Sequence, residues 1–133
     1  MSSAAKRSII NYVNVDYLAA YPTIPIFFDN APFDGNTPPQ AYVEFEIKFA
    51  GGNQVGMSQD PLTRTNGFIY VTAWQREGVS ANDALLMLDW FESKLGYKST
   101  GLVEIKVPEY VGGTAPAGWY MEQLKLYFHT KPA

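Results

Sequence analysis

The sequence predicts an α+β fold: a mostly antiparallel sheet of about five strands with two helices packed on one face, in the order α-β-β-β-α-β-β. Three observations predict it. Apolar residues recur at helical spacing in two stretches, near residues 4–20 and 80–95. Apolar and polar residues alternate with a period of two over residues 40–49. Further runs rich in aromatic and β-branched residues are separated by Gly- and Pro-containing breaks.

A first helix is read over Ala4–Ala20. Ser2 or Ser3 can cap it, and Ile9, Val13, Tyr17 and Ala20 fall on one face. Tyr21-Pro22 stops it, because proline cannot continue the hydrogen-bond ladder and restricts the residue before it. Ile24–Phe28 follows as a short apolar strand, and Pro25 places it at an edge. Asn30–Pro39, with three prolines and Gly35, reads as a loop.

Gln40–Phe49 is the clearest strand. Val43, Phe45, Ile47 and Phe49 point one way, while Tyr42, Glu44, Glu46 and Lys48 point the other. Ala50–Leu62, rich in Gly, Asn and Gln and closed by Asp60-Pro61, reads as an exposed, mobile loop. Thr63–Gln75 is a long strand in which Gly67 marks a bulge or a bend. The second helix begins near Ser80, which can cap it with Asp83 three residues on. Its expected buried stripe is Ala81, Ala84, Leu85, Leu88, Phe91 and Leu95, and Gly96 ends it. Leu102–Val107 is a further strand and Pro108–Gly118 a loop. Trp119–Thr130 closes the sheet, with Tyr120, Leu124, Leu126 and Phe128 on one face and Glu122 interrupting them.

The 133 residues fit one domain, 1–133. Hydrophobic residues make up 47% and charged residues 17%, which is enough apolar surface to fold and too little charge for a disordered tail. Ten basic and thirteen acidic residues leave a net charge of −3, and Lys6-Arg7 is the only adjacent basic pair. A protein that grips phosphates normally carries a basic stripe, and none is visible. The absence of cysteine excludes disulfides, thiol nucleophiles and thiolate metal sites. Ile9-Ile10 is too short an apolar run for a signal peptide or a membrane span, so a soluble protein made in the cytoplasm is expected.

Aromatics reach 15%, with nine Tyr, eight Phe and three Trp. Two helices cover one face of such a sheet, yet the third strand is apolar on both. Ile69, Val71 and Ala73 face one way; Phe68, Tyr70 and Trp74 face the other, where Trp119, Met121 and Tyr127 of the last strand join them. Left in water, each large aromatic forfeits roughly 1.5–3 kcal/mol of burial. Either a partner covers this face, self-association being the simplest case, or loops fold back over it or the sheet curls on itself.

Catalysis finds no support. His129 is the only histidine, and a lone histidine near the C-terminus on a strand is a poor candidate for the positioned base of a triad; an ordinary satisfied or solvent-exposed histidine is the simpler reading. A zinc site needs three or four His, Cys or carboxylate ligands. Glu44 and Glu46 lie about 7 Å apart on one strand face. That spacing suits an acid/base pair, but a solvated polar face explains it more simply. Gly51-Gly52 and Gly56 lack the lysine and hydroxyl of a phosphate-binding loop. No cofactor and no metal are expected.

Leu18-Ala19-Ala20-Tyr21-Pro22 leads into Ile24-Pro25-Ile26-Phe27-Phe28-Asp29-Asn30-Ala31-Pro32-Phe33, a short strand followed by an Asn-x-Pro-Phe turn. Pro39-Gln40-Ala41-Tyr42-Val43-Glu44-Phe45 is a Pro-x-x-Tyr-Val entry into the next strand. Arg64-Thr65-Asn66-Gly67-Phe68-Ile69-Tyr70-Val71 and the helix opening at Gly78-Val79-Ser80-Ala81 follow. In these motifs and in the order of its elements the chain resembles the phage tail-terminator-like proteins of long-tailed phages. The resemblance covers Leu18 to Leu95; Pro108–Gly118 has no counterpart in it.

The resemblance implies a non-enzymatic virion structural protein, a homohexameric ring at the upper end of the tail. Such a ring caps the tail tube and joins it to the head-completion or connector protein, and DNA passes through its lumen without specific binding. No membrane is involved. In that setting Phe68, Tyr70, Trp74, Trp119 and Tyr127 are the candidate subunit interface, and Gly51, Gly52, Asn53, Gln54 and Met57 a candidate tube- or lumen-facing loop. Another neck or connector subunit, or a small-molecule module with an aromatic pocket between sheet and helices, are the alternatives.

Overall fold

The computed structural model describes residues 2–22, 24–28, 41–55, 62–76, 82–100, 102–112 and 117–130, with side chains described except at 2–3, 51–55, 62–65 and 82–83. The elements are α1 (Ser2–Ala20), β1 (Ile26–Phe28), β2 (Ala41–Val55), β3 (Leu62–Arg76), α2 (Asn82–Leu95), β4 (Val103–Val111) and β5 (Trp119–Thr130). They form the expected α+β arrangement, in the expected order. The five strands lie side by side as β1-β2-β3-β5-β4; β1 runs parallel to β2, and every other pairing is antiparallel.

Strand parity explains which face becomes the core. Val43, Phe45 and Ile47 of β2, Ile69, Val71 and Ala73 of β3, and Leu124, Leu126 and Phe128 of β5 point to one side. Val103 and Ile105 of β4 join them. Both helices pack on that side. Ala5, Ile9, Val13 and Tyr17 of α1 are buried there, as are Ala84, Met87, Leu88, Phe91 and Leu95 of α2. The rings interlock: Tyr17 stacks on Phe91 at 5.6 Å, and Phe45 lies 6.1 Å from Phe91.

The stripes depart from expectation at one position in each helix. Ala20 is exposed. The buried series 5, 9, 13, 17 advances in steps of four, which rotates the contact direction by about 40° per step. By the end of α1 that direction has passed Ala20 and reached Tyr21, which packs on Tyr17 and Trp90. Leu85 is likewise exposed on α2, and Met87 takes its place in the core. Ser80 and Ala81 lie outside the described residues. The helices run antiparallel, and polar contacts join them beyond the ring cluster: Tyr12 donates to the Lys94 carbonyl at 3.1 Å, and Lys94 pairs with Asp16.

The strand read from Ile24 begins at Ile26, at the sheet's edge as expected, and the carbonyl of Pro25 just before it accepts the Val43 N–H at 2.9 Å. The Asn30–Pro39 loop lies outside the described residues. The strand read as ending at Phe49 instead runs to Val55. Gly51, Gly52, Asn53 and Gln54, expected in a loop, pair with Asn66, Thr65, Arg64 and Thr63 of β3. Their residue types favour strands weakly, so the backbone ladder to β3 is what holds them extended. Met57 falls outside the described residues. The bulge of this hairpin sits on β2, between Phe49 and Gly51, rather than at Gly67 itself.

β4 also outruns its reading. Pro108–Val111, expected in a loop, continue the strand after a register shift between Ile105 and Pro108. Proline costs no ladder bond on an edge strand, and β4 is the sheet's last. Gly96 follows α2 as expected, its N–H donating to the Glu92 carbonyl, but the left-handed residue at this turn is Tyr97, with φ 59°. β5 keeps the bounds read from sequence.

Candidate interaction surface

On the side away from the helices, β2 carries Tyr42, Glu44, Glu46 and Lys48; β3 carries Phe68, Tyr70, Thr72 and Trp74; β5 carries Trp119, Met121, Gln123, Lys125 and Tyr127. All five candidate interface residues lie on this face. None is fully buried; each is partly exposed.

Register sorts them into two clusters. Phe68 stands directly opposite Tyr127, with ring centroids 5.6 Å apart, and Tyr70 lies 6.2 Å from Phe68. At the other end Trp74 stands 6.3 Å from Trp119, the two rings perpendicular. Tyr42 completes that cluster, stacking on Trp74 at 5.9 Å and meeting Trp119 edge-on at 5.6 Å. Between the clusters runs a polar strip. Gln123 donates to the Thr72 hydroxyl at 3.0 Å, and Thr72 pairs with Glu44 across β2 and β3.

Cations stand over the rings. Lys125 Nζ lies 4.4 Å from the Phe68 centroid, Lys48 Nζ 5.7 Å from Tyr70, and the Arg76 guanidinium 4.6 Å from Trp119. Such contacts contribute about 0.5–1 kcal/mol at exposed sites. They also keep a greasy face compatible with water. Tyr42, Lys48, Arg76 and Lys125 were not among the candidates. Their signal was cross-strand register, which a single strand's alternation does not carry.

The solvated polar face suggested by the Glu44–Glu46 alternation holds at Lys48, which is exposed and pairs with Glu46 at 3.5 Å, but not at Tyr42. Tyr42 is 6% exposed, and burial, with the neighbouring Glu44 carboxylate, pushes its hydroxyl up to about 12. Burial raises the Glu44 carboxyl too, helped by the like charge of Glu46, while the Trp74 indole pulls the other way. The Trp74 Nε1–H is itself buried and makes no hydrogen bond of standard geometry among the described residues. A group of that kind costs roughly 1–3 kcal/mol when left unsatisfied.

His129 Nε2 sits 2.9 Å from Glu104, with Lys106 on the same carboxylate at 3.2 Å. The Lys106 hydrogen bond, chiefly, holds the Glu104 carboxyl below its ordinary range, and His129 adds to it. Among the described residues no three His, Cys, Asp or Glu side chains form a group suited to a metal ion, and no helix is long and apolar enough to cross a membrane. An open pocket of about 400 Å³ lies at the end of α1 beside β1, lined mainly by Leu18, Tyr21, Ile24, Ile26 and Phe28.

No known family's sequence profile matches the chain, and no curated protein does. Eight chains of solved structures match. One of them, a protein without a descriptive name, superposes with a TM-score of 0.76 at 15% identity, over 98% of this chain and 96% of that one. At that identity the likeness is one of fold: a two-layer α+β domain of the same extent.

Proposed function

We propose that this protein is a ring-forming virion structural subunit of the tail-terminator type, which caps the tail tube and joins it to the head-side connector without catalysis. The aromatic face of the sheet carries this reading. Two clusters of rings, partly exposed except for Tyr42, lie on a surface that neither helix covers, and partly exposed aromatic area of that kind favours protein partners. The order of sequence motifs from Leu18 to Leu95 supports the phage assignment. A net charge of −3 suits a channel wall along which DNA slides without sticking. Virion localisation belongs to this proposal.

Labelling assembled particles with an antibody to this chain tests it. The expected result is one ring of label at the tail's upper end, with native mass spectrometry giving a closed oligomer. Label at the distal tip overturns the reading, and label within the neck above the terminator position makes the chain a connector subunit. The pocket beside β1 is the observation that favours a small-molecule module, since its volume falls in the usual range for ligand sites. Among the described residues, Asn14 and Tyr21 are the hydrogen-bonding side chains lining it.

A further inference from the structure

We draw no further inference here: the strongest candidate, the open apolar pocket between the end of α1 and the edge strand β1, lies apart from the aromatic face, and nothing in the structure shows what occupies it.

Discussion

Gly67 and Phe128 are register partners across β3 and β5, and the Phe128 ring occupies the space that a side chain at Gly67 would fill. A Cβ at Gly67 would stand 2.6 Å from Phe128 Cζ and 2.4 Å from the Lys48 carbonyl oxygen. The ring could swing, but Phe49 meets it edge-on at 5.7 Å from the other side. The carbonyl belongs to the β2–β3 ladder and cannot retreat cheaply. Gly67→Ala should therefore destabilise the fold by about 2–3 kcal/mol, as overpacking does. Urea unfolding measures it, and a loss below about 0.5 kcal/mol would mean that β2 yields instead.

Tyr97 holds a left-handed backbone, φ 59°, in the turn after α2. Its side chain is 72% exposed, so little packing offsets the strain. For a non-glycine residue that conformation costs roughly 1–2 kcal/mol, and glycine's greater unfolded-state freedom returns part of the difference. Tyr97→Gly should raise stability by about 0.5–1 kcal/mol, visible as a higher melting temperature. A lower one would locate an unexpected contact for the ring.

Glu44 makes stability depend on pH in a definite direction. Its folded-state pKa is raised above the ordinary carboxylate value, by burial first and Glu46 second. The folded chain thus holds the Glu44 proton more tightly than the unfolded chain does. Its contribution is present below the unfolded pKa and is lost as pH rises through the folded one. Glu44→Gln should melt higher than the parent at pH 7, and the gap should close under acid. An equal gap at pH 3 and pH 7 would rule out ionisation as the cause.

Alkali acts on the tyrosines. Burial raises Tyr17, Tyr21, Tyr42 and Tyr110, and the Glu122 hydrogen bond raises Tyr120, so folding is favoured while the unfolded phenols remain neutral. That stabilisation is lost as pH climbs beyond about 10. Absorbance at 295 nm should rise in two stages, the second coincident with unfolding. Tyr17→Phe should cost about 0.5–1.5 kcal/mol at neutral pH, through loss of the 2.9 Å bond to the Ile24 carbonyl, and should soften the alkaline transition.

Residue order alone carried the class of fold, the strand at 119–130 and the inward sets of β2, β3 and β5. These follow from short-range periodicity: a period of two or of 3.6 is legible wherever one face must be dry. Gly51–Gln54 and Pro108–Val111 were misread as loops because their residue types suit loops. What extends them is a ladder to a neighbour distant in sequence, and nothing local signals it. The candidate surface divides the same way. Phe68, Tyr70, Trp74, Trp119 and Tyr127 were visible as surplus aromatics on one side of two strands. The cations over them, and the partition into two clusters by Thr72 and Gln123, arise from cross-strand register, which is set by pairing in three dimensions.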